Sequence, residues 1–255
     1  MNETALIDEA VWAIPPARLD LEAATVDVWI AALNVPEERA DRLLELLSSD
    51  EKDRAQRFRF ARDRIHYIAG RSIVRTILGS YLNVPPEDIA FRYNGYGKPF
   101  LADDFEDDPT RFNLAHSHGL ALFAVTHGRD VGVDVERMRP GLDARALAER
   151  FFAPEEIDAL MRLPLAEQHG AFFECWTRKE AFIKARGMGL SLPLNQFVVA
   201  FGRGVAPALL SAKDDACDRW LMRNLQPAEC YAGAMVVEAG ETELRCWKFD
   251  AGEKD

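Results

Sequence analysis

The sequence predicts an α+β protein built from two similar halves packed as a pseudo-twofold pair. Three observations predict it. Apolar residues recur at helical spacing over two long stretches, 62–81 and 166–186. Strand-like patterns follow each, at 89–93, 120–126 and 131–136 in the first case and at 197–201, 231–237 and 243–249 in the second. Matching elements are offset by roughly 105–112 residues, too long for a solenoid repeat and suited to a duplicated small domain. The repeat is one of element order rather than of residues. It divides the chain at 1–127 and 128–255.

The elements follow in order. Pro36 suits the first turn of a helix whose apolar side carries Leu43, Leu44, Leu46 and Leu47. Ser48 or Ser49 caps a short basic helix. In the long helix that follows, Ile65, Ile68, Ala69, Ile73, Ile77 and Tyr81 recur at helical spacing, and Pro85-Pro86 closes the region. A strand at 89–93 runs into a turn at Asn94-Gly95. The acidic stretch 102–110 reads as a surface loop. Strands at 120–126 and 131–136, joined by His127-Gly128-Arg129-Asp130, read as a hairpin. Helices follow at 143–152, 154–163 and 166–186, the last stopped by Gly187 and Gly189. Strands are expected at 196–201, 219–224, 231–237 and 243–249.

Composition limits the function classes. The chain has 255 residues, 48% of them apolar, enough for a sizeable core. A net charge of −11 argues against general nucleic-acid binding, which runs on basic patches. Lys52, Arg54, Arg57, Arg59, Arg62, Arg64, Arg71 and Arg75 nevertheless crowd one segment, which fits a local anionic ligand or a solvated helix face. The four scattered cysteines lack zinc or redox spacing. No apolar run has the length of a membrane span, and the N-terminus has no signal-peptide pattern. A soluble, reduced, cytoplasmic protein is expected.

Two segments carry the chemistry. In Gly132-Val133-Asp134-Val135-Glu136, alternation puts Asp134 and Glu136 on one strand face and the valines on the other. Two adjacent carboxylates repel unless something positive sits between them, and magnesium is the natural candidate. The alternative is an ordinary exposed acidic face. In Trp176-Thr177-Arg178-Lys179-Glu180-Ala181-Phe182-Ile183-Lys184, Trp176, Glu180 and Lys184 share one helix face. Glu180 offers a third metal-site acid, and Lys179 and Lys184 offer phosphate contacts. Alternatively, Glu180 and Lys184 form a surface pair. His116, in Asn113-Leu114-Ala115-His116-Ser117-His118-Gly119, could bind phosphate, or the segment could be a self-satisfied turn. No Gly-rich nucleotide fingerprint is present, and no elbow motif makes Ser117 a nucleophile.

Taken in order, Tyr96-Gly97-Lys98-Pro99, Phe112 to Ser117, Gly132 to Glu136, Arg150-Phe151-Phe152, and Trp176 to Lys184 with Gly187 and Gly189-Leu190 resemble the 4′-phosphopantetheinyl transferases of the large, pseudodimeric, surfactin-synthetase-activating type. The matching pieces span roughly residues 54–201. The resemblance implies transfer of the phosphopantetheine arm of coenzyme A to a serine of an acyl-, peptidyl- or polyketide-carrier protein, releasing adenosine 3′,5′-bisphosphate. It implies a monomer whose first half faces coenzyme A and whose second half holds the metal site and catalytic helix. It further implies Asp134, Glu136 and Glu180 as Mg2+ ligands, with Asp134, Glu180 and Lys184 catalytic. Arg54, Lys98, His116, Lys179 and Lys184 would contact coenzyme A. Ala115 stands where the family usually has serine, which implies weaker coenzyme A binding. The acid after Phe152 could be Glu155 or Glu156. The rival readings are a magnesium-dependent pyrophosphate hydrolase acting on a nucleotide and a non-catalytic binding relative.

Overall fold

The first strand, β1 (Thr25–Ala32), alternates between two apolar environments along its length. Val26 and Val28 face one way, and Trp29 and Ala31 the other. A strand buried on both faces needs a layer on each side, and this chain supplies a helix and a second sheet. The computed structural model describes residues 11–102, 105 and 107–250. After β1 come α1 (Glu37–Leu44), α2 (Ser49–Gln56), α3 (Ala61–Leu82), the short pair β2 (Phe91–Tyr93) and β3 (Pro99–Leu101), β4 (Thr110–Ser117) and β5 (Leu120–His127). Then follow β6 (Val131–Arg137), α4 (Ala144–Phe151), α5 (Pro154–Arg162), α6 (Leu165–Arg186), β7 (Phe197–Val199), β8 (Leu209–Ala212), β9 (Trp220–Leu225), β10 (Tyr231–Glu238) and β11 (Glu243–Lys248).

The larger sheet has the order β11-β1-β5-β4 and the second β6-β10-β9. In the first, β5 is antiparallel to both β1 and β4; in the second, β10 is antiparallel to both β6 and β9. Strand, three helices, a two-stranded hairpin and two strands therefore occur twice, with the same pairing. β11 lies outside this scheme and adds to β1 in parallel. Ile73 and Ile77 of α3 pack on Trp29, Phe112 and Phe123. Phe172 and Phe182 of α6 pack on Met222, Ala234 and Val236. Between the sheets, Val26, Val28, Leu122 and Ala124 meet Val131, Val133, Val135 and Met235. The layers run helix, sheet, sheet, helix.

The expected hairpin of 120–126 with 131–136 does not form. β1 and β4 occupy both edges of β5, so β6 has no free edge to pair with. His127 to Asp130 instead carries the chain from one sheet to the other. The real hairpin is β4–β5, closed by His118 (φ 48°) and Gly119 (φ 86°). Two consecutive left-handed residues are what a two-residue type I′ turn needs. The 112–119 segment is thus mostly strand rather than turn. The strand expected at 89–93 begins at Phe91, after a 3₁₀ turn at Pro86–Asp88. β1, β3, β4 and β8 are absent from the sequence reading.

The predicted helix signals work locally. Glu51 accepts the Ser48 backbone N–H (3.1 Å) at the start of α2. Gly187 (φ 64°) ends α6. The acidic loop is partly described, and the residues before 11 and after 250 lie outside the described residues. Among the described residues, no helix is long and apolar enough to cross a membrane.

Candidate active site

The valines of β6 orient its acids. Burying Val131, Val133 and Val135 between the sheets stabilises by about 1.5–3 kcal/mol each. A one-residue slip would exchange them for Asp134 and Glu136, two charges the apolar layer cannot solvate. The register is therefore fixed, and Gly132, Asp134 and Glu136 face α6.

Gly132 sets how close α6 comes. A Cβ there would strike the Ala181 carbonyl oxygen and Ala185 amide nitrogen of α6, with the Lys184 carbonyl carbon at 2.9 Å. Backbone thus packs against backbone, and the next residues on each element meet as side chains. Lys184 Nζ lies 2.6 Å from Asp134 Oδ1. Asp134 is 5% exposed, and its Oδ2 is buried without a hydrogen-bond partner. The Glu180 carboxyl titrates above the usual carboxylate range, pushed up by burial and then by the Asp134 charge, with Glu136 adding to it. Glu136 is raised for the same first two reasons. Three carboxylates therefore share one field, with the Lys184 ammonium opposing them.

β4 runs beside β6 without a backbone ladder, and its side chains substitute for one. Asn113 Oδ1 accepts from Val133 N (2.9 Å). Ser117 Oγ accepts from Arg137 N (3.2 Å) and donates to Glu136 Oε2 (2.9 Å). His116, on the opposite face of β4 from Asn113 and Ser117, senses both Lys184 and Asp134. Burial and then the Lys184 charge lower its pKa, which disfavours the charged ring.

Ser117 is not a nucleophile candidate by its sequence, and no local pattern signals that it holds Glu136. The Asn113–Ser117 spacing, four apart on a strand, shows only that the two share one face. Ser117→Ala removes both contacts and leaves a backbone N–H without its acceptor. It is expected to cost about 1–3 kcal/mol of stability and to loosen Glu136. Urea melts check the stability, and a variant with wild-type melting would show that these contacts do not hold the seam.

The other expected residues divide. Asp134, Glu136, Glu180, Lys184 and His116 come together. Lys98 lies farther along the β4–β6 seam, donating to Val131 O (3.2 Å) and Ala185 O (3.1 Å). Asn94 Nδ2 donates to Gly187 O (2.7 Å) beside it. The β2–β3 turn thereby clamps the C-terminal end of α6. A cavity of about 420 Å³ beneath it is lined by Lys98, Arg111, Asp130 and Arg186 but not by Asp134, Glu136 or Glu180. Arg54 is exposed on α2 with its guanidinium over the Tyr67 ring (5.4 Å). Among the described residues no hydrogen bond or ion pair joins it to the acids. The expected coenzyme A contact from Lys179 is overturned: Lys179 is 0% exposed and ion-paired with Glu156 (2.7 Å). A quarter turn from Glu180 points it into the core of the second half. Glu156, not Glu155, is the acid with a defined place after Phe152.

Among the described residues, no three His, Cys, Asp or Glu side chains are already gathered as a metal cluster. The donor set still fits a divalent cation. An orphaned Asp134 oxygen and two carboxyls held up in pKa are groups that a cation would relieve.

This pairing of an acid-bearing strand with a lysine-bearing helix falls inside a known family's signature. Residues 130–236 match the family described as the 4′-phosphopantetheinyl transferase superfamily, and residues 35–127 match its 4′-phosphopantetheinyl transferase, N-terminal description. The 4′-phosphopantetheinyl transferase HetI of Nostoc sp. is 38% identical over 93% of this chain and 98% of its own length. The 4′-phosphopantetheinyl transferase Sfp of Bacillus subtilis is 31% identical over 64% of this chain and 70% of its own. The likeness to Thermotoga maritima holo-[acyl-carrier-protein] synthase is partial, with a TM-score of 0.36 at 23% identity over 45% of this chain and 64% of that one. The chain belongs to the 4′-phosphopantetheinyl transferase family and is an enzyme of that kind.

Proposed function

We propose that this chain moves the 4′-phosphopantetheine arm of coenzyme A onto a serine hydroxyl of an apo acyl-, peptidyl- or polyketide-carrier protein. The observation that carries the reading is the facing set of Asp134, Glu136, Glu180 and Lys184 at the β4–β6 seam, within the family match. The reaction forms a bond from the serine oxygen to the phosphorus that bears pantetheine. It breaks that phosphorus's bond to the bridging oxygen, and adenosine 3′,5′-bisphosphate leaves with the electron pair.

Asp134, Glu136 and Glu180 would hold Mg2+, which supplies neutralisation of the charge that builds on the pyrophosphate oxygens. Lys184 turns from Asp134 towards the transferred phosphate and stabilises it as a point charge. Glu180 accepts the serine proton, directly or through water. The His116 pKa is held down by burial without ligand, and a phosphate beside it would favour its charged form, so the ring would contact coenzyme A by gaining a proton. Lys98 and Arg54 complete the coenzyme A side from the first half, Lys98 while holding the end of α6.

The repeated order of elements and pairings supports a pseudo-twofold arrangement of two halves, divided at 1–127 and 128–255, with β11 crossing back to β1. Both strands of the seam come from one chain, which supports action as a monomer.

The test is the intact mass of a purified apo carrier after incubation with the chain, coenzyme A and Mg2+, with and without chelator. A Mg2+-dependent gain of one phosphopantetheine is expected. Carriers of several classes left unmodified would overturn the reading, and cleavage of coenzyme A without any carrier would point to hydrolysis.

A further inference from the structure

Two glutamates at the same place in two short helices form the same buried device in each half. Glu156, in the first turn of α5, is 1% exposed. Its Oε2 accepts from Ala153 N (2.9 Å), and its Oε1 accepts from Val199 N (2.8 Å) and pairs with Lys179 Nζ (2.7 Å). Lys179 also donates to Phe197 O (2.5 Å), with its ammonium over the Phe197 ring. Glu51, in the first turn of α2, accepts from Ser48 N (3.1 Å), Arg75 Nε (2.8 Å) and Arg71 Nε (2.5 Å). Arg75 donates to Ile89 O (2.6 Å), with its guanidinium over the Phe91 ring.

The correspondence reaches single positions. α3 and α6 are both 22 residues long and both end in a left-handed residue, Asn83 and Gly187. Arg75 and Lys179 stand equally far from the start of their helices. Ile89 and Phe197, whose carbonyls take the cation, lie at or just before the first strand of each small hairpin. The sequence repeat is thus one of residues as well as of order, carried by a Glu on the second helix and a cation on the third.

Such a pair is a poor source of stability, because two charges lose their water when buried and apolar side chains of the same volume serve as well. What it does supply is direction. The Lys179 ammonium has one place to go, between the Glu156 carboxylate and the Phe197 carbonyl. Consecutive helix residues differ by about 100° of roll, so fixing Lys179 fixes where its neighbour Glu180 points, and Lys184 with it.

We propose that Glu156 and Lys179 are positioning residues for the transfer, a buried ion pair that sets the roll of α6 so that Glu180 and Lys184 face Asp134. This rests on the transferase reading. The other half adds a constraint: Arg75 shows that an arginine can occupy this position in the repeat.

The experiment uses the full chain and three variants: Lys179→Arg, Lys179→Met, and Glu156→Gln combined with Lys179→Met. It measures kcat and KM for carrier modification, the Kd for coenzyme A without carrier, and the melting temperature. Lys179→Met is expected to lower the melting temperature, and the double variant to restore only part of it, because the amide nitrogen of the introduced glutamine cannot accept the second of the Ala153 and Val199 N–H groups. Both lose kcat on the order of 10²-fold, the cost of a small misplacement of reacting groups, with the coenzyme A Kd near that of the wild type. Lys179→Arg keeps most of kcat. A higher coenzyme A Kd with normal kcat would overturn the proposal in favour of a direct contact. Wild-type kcat in the double variant would reduce the pair to a structural one. A wild-type chain that modifies no carrier would overturn the transferase reading and this inference with it.

Discussion

Glu180→Gln is expected to lower transfer by about 10²–10⁴-fold while making the metal-free protein more stable at pH 8. The two effects share a cause. Glu180 is raised in pKa by burial and by the Asp134 charge, so the folded state holds its proton more tightly than the unfolded chain does. Stability from such a group is present below its unfolded value and is lost as pH rises through the folded one. Above that window the wild type carries the repulsion of Asp134, Glu136 and Glu180, and the variant carries less. The gain should shrink as pH falls well below the unfolded value of about 4.3, where the carboxyl is protonated in both states. Mg2+ at 100 times its Kd stabilises a folded protein by about 2.7 kcal/mol, and the variant should show less of this at the same metal concentration. Melting temperatures across pH, with and without Mg2+, and carrier turnover are the measurements. Unchanged turnover would return Glu180 to an ordinary helix-face acid.

Gly132→Ala should damage both fold and activity. Gly132 is needed for closeness, since an added methyl would enter the backbone of α6 at Ala181 and Ala185. No flexible side-chain end is there to yield. Val131 and Val133 hold the strand from the other side, so the strand cannot retreat. The helix must move instead, which costs about 1–3 kcal/mol or more as overpacking does. A shift near 1 Å would also part Lys184 and Glu180 from Asp134, and misplacement of that size costs about 10² in rate. Urea melts with an unchanged slope and a lower midpoint, together with reduced kcat, are the expected result. A variant with wild-type melting and turnover would show that the helix does not depend on this approach.

The long helices were legible because their own residues carry the period and the stops. Ile73 and Ile77 mark the face of α3, and Gly187 marks the end of α6. The direction of Asp134 and Glu136 was legible too, because a strand alternates and the three valines can go only inwards. The partner of a strand was not legible. β5 and β6 look like a hairpin locally, and only the occupation of both β5 edges by β1 and β4 forbids it. Lys179 could not be placed from its helix position, because α6 is covered on more than one side and a basic residue gives no signal of a buried glutamate far away in sequence.

By itself, then, the sequence determined the helices, most but not all of the strands, the acid face of β6 and the family to which those motifs belong, all of which depend on residues close together in the chain. The tertiary structure decided which strands pair, that Ser117 holds Glu136, that Lys98 clamps the end of α6, and that Lys179 answers Glu156. The side-chain contacts among these join residues from 19 to 87 apart, and the strand pairing of β1 with β11 joins residues about 218 apart. Their geometry follows from packing the two sheets and two long helices in one order of layers, which no local pattern encodes.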